Sequence, residues 1–163
     1  MNRNFKWAFG GPGSSGVPRS ETYRGAKALS ELESQAVDKY LDAHKSMTVG
    51  IDYHSFSQYI LRPWDYSRDP TKDEESLKKL TDDWRAEMRK VHNLDYASMR
   101  GAQMYLHSGG LMDHFYGEKK FYGFCVELRP RSGGFVIDPK NIIPSGQENY
   151  NGLLVLLKYA SEQ

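Results

Sequence analysis

The chain has 163 residues, 22 Lys and Arg against 21 Asp and Glu, five His, one Cys and a mean hydropathy of −0.70. That length suffices for a core burying roughly two-thirds of the unfolded surface, and a formal charge of +1 gives no electrostatic case for nucleic acid or an anionic membrane as partner. No apolar run approaches the roughly 20 residues of a membrane span, and the lone Cys125 excludes an internal disulfide or a cysteine-built zinc cage.

Residues 1–25 cluster Gly, Pro and Ser around Phe5, Trp7 and Phe9, which reads as an ordered loop rather than a linker. From Ala26 to about His44, apolar residues at Ala28, Leu29, Leu32, Ala36, Val37, Tyr40 and Leu41 predict a helix, with Ser30 and Glu33 as an S-x-x-E start signal. The β-branched run M-T-V-G-I-D-Y-H-S predicts a buried strand ending near His54. Residues 73–91 place Leu77, Leu80, Trp84, Met88 and Val91 on one helical face, with acids at the start and Arg89 and Lys90 near the end, as the helix dipole favours. Residues 95–120 read as a long, functional loop. F-Y-G-F-C-V-E-L at 121–128 predicts a second strand, and 144–162 a closing helix striped with Tyr150, Leu153, Leu154, Leu156, Leu157 and Tyr159. Two strands among three helices indicate an α/β fold with too few strands for a covered sheet.

Four features can carry chemistry. His54 stands at the carboxyl end of a strand, where α/β proteins place their sites, and is either a ligand or a structural histidine. Glu127 closes an otherwise apolar strand as a tuned base or a solvated carboxylate. Tyr105, in a glycine-flanked loop, is a substrate-contacting hydroxyl or an aromatic plug. Asn2 and Arg3 look like any polar chain start. No H-E-x-x-H, C-x-x-C, G-x-S-x-G or Walker-type G-x-x-x-x-G-K-[ST] pattern is present.

Taken in order, N-R-N at 2–4, S-E-T-Y-R-G at 20–25, I-D-Y-H-S-F-S-Q at 51–58, Y-x-x-S-G-G at 105–110, V-E-L-R at 126–129 and F-V-I-D-P-K-N-I-I-P-S-G-Q-E at 135–148 resemble the carboxyl-terminal half of zinc metallocarboxypeptidases of the carboxypeptidase A/B family. The resemblance runs from Asn2 to the last helix. It implies an α/β fold, a mixed sheet flanked by helices with the amino-terminal half of the domain missing. Residues 1–163 would then form the C-terminal part of one peptidase catalytic domain.

The family hydrolyses the C-terminal peptide bond of peptides and proteins with a zinc ion held by two histidines and a glutamate. By resemblance His54 matches the last zinc ligand and Glu127 the general base. Asn2 and Arg3 match the pair that grips the terminal carboxylate, Arg3 through charge-assisted hydrogen bonds. Tyr105 matches the tyrosine that closes over the terminal residue. Met112 lies where members preferring basic residues carry an acid, so an apolar or aromatic terminal residue is expected. Phe56 departs from a common tyrosine, and His114 from a large aromatic. The H-x-x-E motif that supplies the other two ligands is absent, so one of three zinc ligands is present. The chain alone is expected to be inactive, with an uncovered apolar face and unpaired strand edges. The expected partners are peptide or protein C-termini and a complementing N-terminal half, and the family likeness suggests a secreted protein. The alternative is a non-catalytic module of the same fold that binds peptide C-termini.

Overall fold

The computed structural model describes Met1 to Gln163. Two compact units divide the chain: Met1–Gly50 with Pro63–Thr71 and Arg100–Gly123, and Ile51–Arg62 with Lys72–Met99 and Phe124–Gln163.

In the first unit the amino-terminal loop is ordered by Asn4, which is 1% exposed. Its amide donates to the carbonyls of Arg24 and Lys27 at 2.6 and 3.0 Å, and its oxygen accepts from the backbone of Glu31 at 3.1 Å and from the Ser34 hydroxyl. Asn4 also donates to the Ser30 hydroxyl, which in turn donates to the Glu31 carboxylate. With Ser30 so engaged the S-x-x-E cap does not form, and helix α1 spans Leu32–Ala43 with an uncapped Glu31 before it. An apolar cluster of Leu41, Phe115 and Phe121 gathers Val37, Met47 and Leu111 around it. Beside this cluster lies a buried charge network. Asp38 accepts from His114 Nε2 at 2.8 Å and pairs with Lys119 at 2.7 Å and Lys6 at 3.1 Å. Burial disfavours the Asp38 charge, but the hydrogen bonds from Lys119, Lys6 and His114 outweigh it and hold the carboxyl below its usual range.

Four strands form a sheet in the order β1-β4-β2-β3, with β1 at Val49–Ser55, β2 at Tyr59–Arg62, β3 at Ala97–Arg100 and β4 at Tyr122–Leu128. β2 and β4 are antiparallel, with Tyr59 opposite Glu127, Ile60 opposite Val126 and Leu61 opposite Cys125. The expected pair of strands is thus a sheet of four. β2 and β3 are four residues each, too short for alternation to stand out. The expected loop at 95–120 also resolves into structure. It holds β3, helix α3 (Gly101–Met104), helix α4 (Leu111–Asp113) and a π-turn at His114–Glu118.

In the second unit, helix α2 (Glu74–His92) buries Leu77, Thr81, Trp84 and Met88 at helical spacing and ends on Asn93 in the left-handed region. The last helix, α5 (Ile142–Ser161), packs on α2. Their approach needs Gly152, because a β-carbon there would overlap the Trp84 indole. The edge of the Trp84 ring also meets Phe124, at a centroid distance of 6.0 Å and 88°. Deepest between the two helices is Glu148, fully buried. It accepts from His92 Nδ1 at 2.9 Å, from the Tyr96 hydroxyl at 3.2 Å, and from both Nε and Nη2 of Arg129. Apolar side chains of Ile142, Ile143, Tyr150, Leu154 and Leu157 on α5 are exposed, and β1 is an outer strand.

Candidate active site

His54 and Glu127 both lie in the second unit. On β1, alternation puts Asp52 and His54 on the same face, and His54 Nε2 sits 2.9 Å from Asp52 Oδ2. Glu127 stands near the end of β4, and its Oε2 is buried without a hydrogen-bond partner. Burial raises its pKa above the usual carboxylate range. The nearby Asp52 charge adds to the effect, and His54 works against it. A carboxylate held this way is a better proton acceptor than an exposed one. Asp52 was not singled out from the sequence, although its i, i+2 spacing from His54 on a strand is the signal that finds it.

Asn2, Arg3, Tyr105 and Met112 belong to the first unit, where the fold joins two of the motifs. Phe5 N–H donates to the Gly109 carbonyl at 3.0 Å, and Ser108 Oγ donates to the Pro12 carbonyl at 2.9 Å. Gly109 has φ +72°, and a β-carbon there would overlap the Arg3 carbonyl; the S-G-G sequence lets the loop lie directly on the N-R-N segment. Arg3 Nε donates to the Gly13 carbonyl at 3.0 Å, and Nη1 donates to the Asn2 carbonyl. The guanidinium then stands 6.0 Å from the Tyr105 ring centroid, within cation–π range. Tyr105 is 46% exposed, whereas Met112 is 1% exposed, its terminal methyl close to where a Gly101 side chain would begin. The loop is further pinned from below: Asp113, buried, accepts from the backbone N–H of Asp65 at 3.0 Å and of Tyr66 at 3.1 Å. Burial outweighs these bonds and pushes its pKa up to about 7.

A cavity of about 470 Å³ in the second unit is lined by Tyr53, Ser55, Leu128, Arg129, Ile142 and Asn149 among others. Neither His54 nor Glu127 lines it.

A model of the zinc carboxypeptidase family matches residues 1–152. This chain belongs to that family. Carboxypeptidase A5 of Macaca fascicularis is 34% identical over 161 residues, covering 98% of this chain and 37% of its own length. Carboxypeptidase A1 of Mus musculus is also 34% identical, with 97% and 38% covered. Among solved structures, bovine thrombin-activatable fibrinolysis inhibitor in complex with tick carboxypeptidase inhibitor superposes with a TM-score of 0.95 at 32% identity, covering 99% of this chain and 56% of that one. Carboxypeptidase A from Helicoverpa armigera gives 0.90 at 27% identity, with 99% and 42% covered. The chain therefore spans well under half the length of these curated relatives, and its mixed sheet flanked by helices is a partial carboxypeptidase fold.

The family implies zinc, and the donors on this chain do not complete a site for it. His54 is engaged by Asp52, and no group of three His, Cys, Asp or Glu side chains stands together to hold a metal ion, where a catalytic zinc takes three protein ligands. No helix is long and apolar enough to cross a membrane.

Proposed function

We propose that residues 1–163 form the C-terminal part of a zinc carboxypeptidase catalytic domain, acting at the C-terminal peptide bond of peptides and proteins. In this reading Asn2 and Arg3 hold the terminal carboxylate, and Tyr105 donates to it from above. Met112 gives the terminal side chain an apolar neighbour and favours apolar or aromatic residues. Glu127 takes the proton of the attacking water. His54 is one of three zinc ligands, the other two coming from a complementing N-terminal half. A secreted setting belongs to the same reading through the family likeness.

The observation that carries it is the placement of the Arg3 guanidinium beside the half-exposed Tyr105 ring, on a loop tied to the N-R-N segment by Phe5 and Ser108. A planar guanidinium next to a phenol matches the geometry of a carboxylate, whose oxygens accept two charge-assisted bonds. Calorimetric titration of the chain with N-acetyl-Gly-Phe and with its C-terminal amide tests this. The acid is expected to bind at least about tenfold more tightly, and equal affinity for the two overturns the carboxylate grip.

A second reading is a non-catalytic module that binds peptide C-termini, and the absence of a three-donor group favours it for the chain acting alone. Both readings predict binding without cleavage by the isolated chain. They part when a polypeptide carrying the H-x-x-E segment of a relative is added with zinc. Restored cleavage of the acid peptide that is lost in Glu127→Gln supports the enzyme part; a complex that forms and cleaves nothing supports the module.

A further inference from the structure

His107 and Asp65 play no part in the chemistry assigned above, yet they underlie its most exposed member. Their side chains pair at 3.2 Å between His107 Nε2 and Asp65 Oδ2, at 9% and 4% exposure. The backbone repeats the link, with His107 N–H donating to the Asp65 carbonyl at 3.1 Å. Asp65 is itself fixed, because its N–H donates to both oxygens of the buried Asp113. On the outer side, the His107 ring meets the Tyr105 ring at 5.2 Å between centroids and 33°. Tyr105 in turn neighbours the Arg3 guanidinium at 6.0 Å. The contacts thus run without a break from a buried carboxylate, through an imidazole, to the phenol and the arginine.

Neighbouring residues leave the imidazole little room. A side chain at Gly110 would press on His107 Nε2, one at Gly13 would overlap the Leu106 carbonyl and press on His107 itself, and one at Gly101 would overlap the Asp65 carboxylate. The ring is therefore held on several sides while Tyr105 is 46% exposed. A rigid aromatic rest under a half-exposed phenol restricts the ring to fewer orientations, and fewer orientations to lose means tighter binding. An aromatic pair of this kind contributes modestly beyond its area.

We infer that His107, braced by Asp65, is a positioning residue for Tyr105: it sets the phenol beside Arg3 and so raises the affinity of the site for a terminal carboxylate. The inference rests on the reading of Arg3 and Tyr105 as the carboxylate grip.

Two measurements on the full chain test it. The first is binding of N-acetyl-Gly-Phe and its amide to the wild type, His107→Ala, His107→Phe, Tyr105→Ala and the Tyr105→Ala/His107→Ala double variant. His107→Ala should weaken the acid about threefold to tenfold and leave the amide unchanged. His107→Phe keeps the ring but not the Asp65 pair, and should fall between wild type and His107→Ala. The double variant should bind the acid no more weakly than Tyr105→Ala, since a residue acting through Tyr105 has nothing left to position. The second measurement is the ring resonance of Tyr105 in chain labelled with ¹³C-tyrosine and assigned with Tyr105→Phe. It should move and sharpen towards a freely averaging ring in His107→Ala.

A general loss of folding lowers affinity for the acid and the amide together and adds to the loss in Tyr105→Ala, so it cannot imitate this pattern. Unchanged acid affinity in His107→Ala, or losses that add in the double variant, overturns the inference while the grip stands. Equal binding of acid and amide by the wild type, with the Tyr105 resonance still responding to His107→Ala, overturns the grip and the affinity claim and leaves the ring contact alone. A resonance that does not respond removes the positioning role.

Discussion

Glu127 and Arg3 sit in surroundings of opposite kind. Around Arg3 partners hold the side chain and backbone in place: the Gly13 and Asn2 carbonyls accept from Nε and Nη1, Gly109 lies on its carbonyl, and Tyr105 stands beside it. Around Glu127 partners are withheld, with Oε2 buried and unbonded and the pKa raised by burial. The first arrangement suits a group that must present a fixed charge to a fixed anion. The second suits a group that must take up a proton, because each hydrogen bond given to a carboxylate makes it a poorer base. The difference also divides the costs: fixing Arg3 depends on backbone fit, while leaving Glu127 Oε2 buried and unbonded costs stability that other contacts near the end of β4 offset.

Those other contacts are the place to break the comparison hardest. Arg129, two residues beyond Glu127, is tied to the fully buried Glu148, which also holds His92 and Tyr96. Glu148→Ala leaves the Arg129 guanidinium and the Tyr96 phenol without their buried carboxylate, and removal of one partner of a buried pair costs about 3–5 kcal/mol. Urea unfolding followed by circular dichroism should show a loss of that order. A loss below about 1 kcal/mol would mean that the end of β4 is held by something else, and the contrast would lose its structural half.

Next in size is a pH effect, and it sharpens the picture of the loop side. Asp113, beneath the Tyr105 loop, has a pKa pushed up to about 7 by burial against 3.8 for the ordinary group. A carboxyl whose folded pKa is raised makes the folded state hold a proton that the unfolded state has released. Stability should therefore fall as pH rises from about 4 to about 7, by at most roughly 4 kcal/mol. Glu127 adds a contribution of the same sign. Asp38, Asp82 and Asp95 are lowered instead, so their contribution disappears only below about pH 4. Urea midpoints at pH 4.5 and 7.5 should show this decline, and Asp113→Asn should flatten most of it. An unchanged slope in that variant rules Asp113 out as its source.

How much of this was readable beforehand follows the length and regularity of each piece. α2, α5, β1 and β4 are legible because each is long enough to show a pattern: Leu77, Thr81, Trp84 and Met88 are buried as a helical stripe should be, and β4 is a continuous buried run. By contrast β1, expected as a buried strand, has no fully buried residue because it lies at the edge of the sheet. β2, β3, α3 and α4 are not legible, since three or four residues do not complete a pattern. Ser30 misled as a cap because its hydroxyl is taken by Asn4, a partner far away in sequence. The candidate site divides likewise. His54, Glu127, Arg3 and Tyr105 were visible within ordered motifs, whereas Asp65 under His107 and Glu148 under Arg129 owe their pairing to tertiary structure and leave no local trace.

Arg3→Lys probes the well-partnered side with a smaller change. An ammonium keeps the charge and loses the planar fork, so N-acetyl-Gly-Phe should bind about tenfold more weakly, near 1.4 kcal/mol, with the amide unaffected and thermal stability nearly so. Equal losses for acid and amide would place Arg3 in the packing of the loop instead of in recognition.

The smallest expected effect has the opposite sign, which makes it the most discriminating. If Glu127 is held without a partner for Oε2, replacing it with a flexible apolar side chain of similar length should relieve the fold. Glu127→Met is accordingly expected to raise stability at pH 7.5, where the wild-type carboxyl is most strongly ionised. The gain should be at most about 1 kcal/mol, because the side chain is only partly buried and solvent already screens much of the burden. The same substitution at pH 4.5 should gain less, since the raised pKa leaves more of Glu127 neutral there. Arg3→Met should show no such gain, as it removes bonds in place of a strain. A Glu127→Met variant less stable than wild type at both pH values would show that Glu127 is bonded after all, and the two sides of the comparison would become alike.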